Sequence, residues 1–228
     1  MVEASNSNSG TATTVPDYKA FRSVATPTGC SMLNSNLSSK DGTSFITCKN
    51  TADGGTLHLY GSEVINQQDD VVEPTLKKIG HKSDCVRAQF LKIQGAYYAV
   101  VCHLAVCLIF NANCTRTLFS FEIGQAIQGS SGRQVSGGGD REDPIANRIW
   151  FTCSAKCYDE DSQQEFIALA TNDGRIFSIT VQGGGAQFVT DCAFTMGLAT
   201  SIVAMACDQR SKVLLVATGT GQTLFLRP

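Results

Sequence analysis

The stretch Phe166-Ile-Ala-Leu-Ala170, Asn172-Asp-Gly174, Arg175-Ile-Phe-Ser-Ile179 decides the fold: an apolar run, a glycine turn, then a second apolar run. Short runs dense in Val, Ile, Phe and Thr, bounded by Gly, Asp and Asn, predict strands. The Asp-Gly step supplies the positive φ that a tight hairpin requires. The phrase recurs as Phe45-Ile-Thr-Cys48, Asp53-Gly-Gly55, Thr56-Leu-His-Leu-Tyr60, and again as Val213-Leu-Leu-Val-Ala217, Gly219-Thr-Gly221, Gln222-Thr-Leu-Phe-Leu226. Phe166 and Val213 open their copies 47 residues apart, and a repeat of that period implies stacked units sharing one core.

Read outward from these hairpins, each unit resolves into four consecutive strand-like segments. The first runs Cys30–Asn36, Phe45–Lys49, Thr56–Tyr60 and Glu73–Lys78; the second Val86–Leu91, Tyr98–Cys102, Val106–Phe110 and Thr117–Ile123, without the glycine turn. The third runs Arg148–Ser154, Phe166–Ala170, Arg175–Thr180 and Gln187–Cys192, and the last Ile202–Cys207, Val213–Ala217 and Thr223–Leu226. Phe45 to Tyr98 is 53 residues, whereas Tyr98 to Phe166 is 68. The excess is the Gly-, Ser- and Gln-rich stretch Gly124–Asn147, which predicts a mobile insertion between units. No stretch holds a sustained 3.6-residue apolar period with caps, so no long helix is expected. Ala96–Phe110 is almost wholly apolar but only 15 residues long, short of the ~20 that a membrane helix needs; two adjacent buried strands account for it.

Composition agrees with an all-β chain of 228 residues: charged residues make up 17%, below the usual ~25%, while Gly, Ser and Thr suit strands and turns. A formal charge of −2 supplies no diffuse basic field for a phosphate backbone, so nucleic acid is not an expected partner. Residues 1–19 read as a Ser/Asn/Thr-rich disordered tail without a signal-peptide pattern, and residues 20–228 as the repeat domain. The expected location is cytoplasmic, where the ten cysteines stay reduced and serve as buried apolar residues.

The units resemble degenerate WD-repeat blades. Gly80-His81 ahead of the Val86 strand is similar to that repeat's Gly-His opening, while the Trp-Asp ending is replaced by Leu59-Tyr60, Ile179-Thr180 and Leu226-Arg227. More narrowly, Val86-Arg-Ala-Gln-Phe-Leu91 leading into Tyr97–Phe110, and Phe166–Phe177 leading to the Val213–Leu226 hairpin, resemble the N-terminal propeller region of the WD repeat-containing protein 54 family. The resemblance implies an all-β propeller of four-stranded blades and a non-enzymatic scaffold for protein partners. Four units are visible, fewer than many propellers close with. A partial ring, completed by further blades or by self-association, is expected to expose strand edges.

Candidate chemistry is sparse. Cys102, Cys107 and Cys114 lie close together in sequence, and Cys153 and Cys157 have the spacing of half a zinc knuckle but no mate; no metal and no cofactor are expected. His58, His81 and His103 lack the surroundings of a catalytic motif, so no catalytic residue is assigned; the alternative is a propeller hydrolase or lyase with a channel-mouth site. Gly183–Gly185 and Gly219–Gly221 neither open a helix nor carry the Gly-Lys-Ser/Thr ending of a phosphate loop. The acidic run Tyr158–Asp161 reads as a solvated loop joining two strands. Arg133, Asp140, Arg141, Glu142 and Asp143, on the insertion at 124–147, form the expected partner-binding site, because loops held by a rigid scaffold carry function.

Overall fold

A computed structural model of the chain describes residues 38–42, 44–51, 54–61, 75–79, 85–124, 149–159, 161–185, 187–195, 200–208, 210 and 212–227. These residues form fifteen strands in four antiparallel sheets, each a simple meander. The first sheet holds β1 (Ser38–Lys40), β2 (Ser44–Thr51), β3 (Gly54–Tyr60) and β4 (Thr75–Lys78). The second holds β5 (Cys85–Ile93), β6 (Ala96–His103), β7 (Val106–Asn111) and β8 (Thr117–Glu122). The third holds β9 (Phe151–Asp159), β10 (Gln164–Thr171), β11 (Arg175–Gln182) and β12 (Gln187–Thr195). The fourth holds β13 (Ile202–Asp208), β14 (Val213–Thr218) and β15 (Thr223–Leu226). Ala96–Phe110 is the β6–β7 hairpin, as its apolar run predicts.

Two strands differ most from the sequence reading. The strand paired ahead of β2 is Ser38–Lys40, and the expected Cys30–Asn36 segment lies outside the described residues. The strand read as Arg148–Ser154 is Phe151–Asp159, because Cys153, Ala155 and Cys157 alternate inward beyond the expected end. Tyr158 and Asp159 therefore close a strand, and the acidic loop shrinks to a turn.

Alternation of side chains gives every inner sheet two apolar faces, and the sheets stack in chain order: β1 and β2 against β5, β5 against β9, and β9 against β13. The seam between the second and third sheets is the largest, filled by Val100, Ile109, Phe121, Phe151, Ile167, Leu169 and Ile179. Ile46, Leu57, Ala99 and Val101 fill the seam before it, and Ala168, Ile202, Leu214 and Val216 the seam after it. The fourth sheet turns its other face outward, where Val203 is exposed and Phe225 is 72% exposed.

Polar side chains stitch the seams. Asn50 Nδ2 donates to the Cys85 carbonyl (3.1 Å), and the Cys85 amide donates to Asn50 Oδ1 (2.8 Å), so one amide side chain imitates a strand across two sheets. Asn50→Ala strands both main-chain groups, and an unmade hydrogen bond at a buried group costs about 1–3 kcal/mol. Urea unfolding is expected to show that loss, whereas Lys49→Ala, on an exposed residue of the same strand, leaves the midpoint in place.

The hairpin turns repeat a hydrogen-bond pattern as well as a sequence. Thr171 Oγ1 accepts from the Arg175 amide (3.1 Å) and donates to the Arg175 carbonyl, with Gly174 at φ 83°. Thr218 does the same to Gln222, with Gly221 at φ 83°. Both threonines are buried, so the hydroxyl meets donors and acceptors that water does not reach.

Candidate functional site

The site is best built from the turns that join second to third strands, because the links between sheets emerge beside them. Leu104 and Ala105 connect β6 to β7. The Ala105 carbonyl accepts from the Ile123 amide (3.0 Å) and the Leu104 carbonyl from the Phe151 amide (2.8 Å). The departure and return of the 124–147 insertion are thus held by one two-residue turn. On the neighbouring sheet, Asn172 clamps Trp150 from both sides: the Trp150 amide donates to Asn172 Oδ1 (2.8 Å), and the Asn172 amide donates to the Trp150 carbonyl (3.0 Å). The Gly219 amide makes the corresponding bond to the Ser201 carbonyl at the fourth sheet (2.8 Å).

Trp150, the single tryptophan of the chain, is 42% exposed, and so is Leu104. Apolar rings of that size normally bury, and Trp is enriched where partners bind. The sequence reading placed Trp150 inside a strand and missed it; its position at the return of the insertion, next to the first buried phenylalanine of β9, was the available signal. Arg133, Asp140, Arg141, Glu142 and Asp143 lie outside the described residues.

The other candidates resolve into structural parts. His58 is buried in β3, and burial first, then the Lys49 charge, hold its imidazole below its ordinary value. Such a group takes up a proton more readily unfolded than folded, so its contribution to stability is present above the ordinary value of 6.5 and fades as pH falls through it. Unfolding free energy is expected to drop on acidification through that range, and His58→Asn to flatten this component of the pH profile. His103 ends β6 and is fully buried. An added Cβ at Gly55 would meet Ile79 Cδ1 at 3.2 Å and His103 Cε1 at 3.4 Å, so glycine lets the start of β3 lie close against the seam. His81 lies outside the described residues.

Cys153 and Cys157 are both buried in β9; burial pushes the Cys153 thiol up to about 11. Among the described residues no three His, Cys, Asp or Glu side chains converge in a way that would hold a metal ion. Gly183–Gly185 forms a 3-10 turn between β11 and β12, and Gly219–Gly221 a hairpin turn; neither starts a helix. Asp159 accepts from the Asp161 amide (3.0 Å) and the Ser162 hydroxyl (2.5 Å), and the latter bond lowers its carboxyl below the ordinary value. That turn is closed by its own acid. A cleft of about 210 Å³ between the first two sheets, lined by Lys40, Phe45, Tyr60 and Phe90, is smaller than the usual ligand pocket of roughly 300–1,000 Å³. Among the described residues no helix is long and apolar enough to cross a membrane.

No family model matches the sequence, and no curated protein is significantly similar to it. Solved structures are similar in fold. The C-terminal WD40 domain of Sif2 aligns with a TM-score of 0.50 at 9% identity over 82% of this chain and 43% of its own. Sqt1 of Saccharomyces cerevisiae aligns with a TM-score of 0.53 at 17% identity over 81% of this chain and 44% of its own. BBS1N, solved in complex with ARL6DN, aligns with a TM-score of 0.51 at 10% identity over 87% of this chain and 55% of its own. The chain spans about half of each of these solved chains or less, and its four meander sheets have the architecture of WD40 β-propeller blades.

Proposed function

We propose that this chain is a non-enzymatic scaffold that binds a protein partner on the face carrying Leu104, Trp150 and the 124–147 insertion. The observation that carries the reading is Trp150: a large exposed ring whose main chain is fixed on both sides by Asn172. A ring on a main chain already held in place leaves only its side-chain rotamers to be ordered on binding, which is where a scaffold gains affinity. The similarity of the fold to BBS1N, which was solved with a protein bound, supports the same class of partner. We also propose a cytoplasmic location and the narrower kinship to the WD repeat-containing protein 54 family, on the residues quoted for it above.

The test is comparative capture from cell extract. Proteins retained by the wild-type chain and by a Lys212→Ala control, but lost from both Leu104→Ser/Trp150→Ala and a deletion of Ser130–Asp140, identify the face. Equal capture by all four overturns it. The exposed Phe225 face favours a second contact, with a further sheet from more blades or from another copy of the chain. Light scattering is expected to show self-association that Phe225→Ser reduces; a monomer unaffected by that substitution removes the self-association reading.

A further inference from the structure

Four buried thiols lie close together around the second sheet: Cys48 on β2 and Cys85 on β5 in its seam with the first sheet, and Cys102 on β6 and Cys107 on β7 in its seam with the third. Two of them have geometry the others lack. Cys102 and Cys107 are direct partners in the β6–β7 ladder. Opposed Cα atoms in an antiparallel pair lie ~4.5–5.5 Å apart, inside the ~4.4–6.8 Å that a disulfide spans. The ladder spacing therefore puts the two cysteines within disulfide reach of each other.

The surroundings divide the labour between the two sulfurs. The Cys107 thiol hydrogen-bonds to Cys102, the Ser154 hydroxyl does the same, and the Arg87 guanidinium is near enough to act on the sulfur. Arg87 Nε donates to Gln89 Oε1 (3.0 Å), and Gln89 Nε2 donates to Ser154 Oγ (2.5 Å), so cation, amide and hydroxyl form one network across the seam. Burial works against a thiolate, but the Cys107 hydrogen bond, with Ser154 and Arg87, outweighs it and holds the Cys102 thiol below its ordinary value. Cys107 is pushed the other way by the same hydrogen bond and by burial, so it keeps its proton. The Cys48 and Cys85 thiols also touch, yet Cys85 is driven up by that contact and by burial. Cys157, beside Cys207, is likewise driven up, chiefly by burial.

We propose that Cys102 and Cys107 are a reversible redox pair, with Cys102 attacking a small hydroperoxide and Cys107 resolving the product to a disulfide. The Cys102 thiolate attacks one peroxide oxygen: an S–O bond forms, the O–O bond breaks, and the departing hydroxide takes up a proton as water. The Cys107 thiol then releases its proton and its sulfur attacks the Cys102 sulfur. The S–S bond forms, the S–O bond breaks, and the second hydroxide leaves as water with that proton. Hydrogen peroxide gains two electrons and the thiol pair loses two; an added dithiol reverses the reaction by exchange. Both sulfurs are buried, which favours an oxidant close to water in size over a bulky disulfide and makes access, for oxidant and reductant alike, depend on local opening of the sheet.

The consequence, which rests on the scaffold reading, is control of the loop face. Leu104 and Ala105, whose carbonyls hold Phe151 and Ile123, lie between the two cysteines, so the bond cross-links the base of the turn that carries the insertion.

The test needs no partner. Native full-length protein is treated with hydrogen peroxide, quenched, denatured, alkylated and mapped by mass spectrometry. A linked Cys102–Cys107 peptide is expected to accumulate roughly tenfold faster than any oxidation at the buried Cys85 or Cys153, since attack rate follows thiolate fraction. It is expected to vanish on reduction with dithiothreitol and to form far more slowly with oxidised glutathione. In Cys107→Ser, Cys102 is expected to be recovered as the sulfenic acid, trapped by dimedone added together with the denaturant. Oxidation of Cys102 no faster than Cys153, or direct passage to sulfinic acid without the linked peptide, overturns the proposal. Should Cys107→Ser fail to fold, the wild-type peptide map decides alone. A linked peptide with no change in partner capture retains the redox pair and removes only its control of the face.

Discussion

Phe151→Ala is expected to lower the unfolding free energy by about 3–5 kcal/mol, the range for deleting a fully buried aromatic side chain. Phe151 is completely buried, lies 5.9 Å from the Phe121 ring centroid, and sits in the largest seam. The cavity would open between two sheets whose strand ladders are each internal to one sheet, so it cannot be relieved by a shift in strand register. Chemical denaturation of Phe151→Ala and Phe151→Leu separates the effects: leucine refills most of the volume and is expected to recover more than half the loss. A small effect of Phe151→Ala would mean that the second and third sheets are not held together through this seam.

Trp150→Ala is expected to weaken partner binding by about 2 kcal/mol, roughly thirtyfold, the size of a hot-spot truncation. Its melting temperature is expected to stay at the wild-type value. Both clamp hydrogen bonds use main-chain atoms of residue 150, so alanine keeps the local structure and removes only the exposed ring. Asn172→Ala provides the contrast: it deletes the acceptor, frees the return of the insertion, and is expected to lower affinity and melting temperature together. Titration calorimetry with a partner identified by capture measures the first quantity and differential scanning calorimetry the second. If Trp150→Ala binds normally while Asn172→Ala does not, the face acts through the insertion alone.

The fold was legible because it is written in period two. Phe166–Ala170 and Arg175–Ile179 alternate between two apolar seams, and the Gly174 turn fixes their register, so local pattern and tertiary contact demand the same thing. The end of β9 was not legible, because Cys153, Ala155 and Cys157 are small residues whose burial depends on the neighbouring sheet instead of their own hydrophobicity. The partner face was harder. Sequence reasoning followed the charges of the insertion, whereas Trp150 owes its interest to being an apolar residue left outside, which is visible only once the sheets are assembled. The Cys102–Cys107 pair stood in the sequence only as part of a cysteine cluster with Cys114: a spacing of five residues says little until the turn at Leu104–Ala105 pairs the two positions across the β6–β7 ladder.

The strand order also governs how the chain can change over time. Every hydrogen-bonded strand pair joins segments adjacent in sequence, so closing each sheet needs only a short loop, and the 124–147 stretch bridges sheets whose seam is already apolar. Loop closure grows only logarithmically with length, about 0.6 kcal/mol for each doubling, which is small beside the contribution of Phe151 alone. Insertions and deletions can therefore accumulate at this one connection with little penalty to folding, leaving the turn at Leu104–Ala105 as a fixed mount for a segment whose length and charge are free to drift.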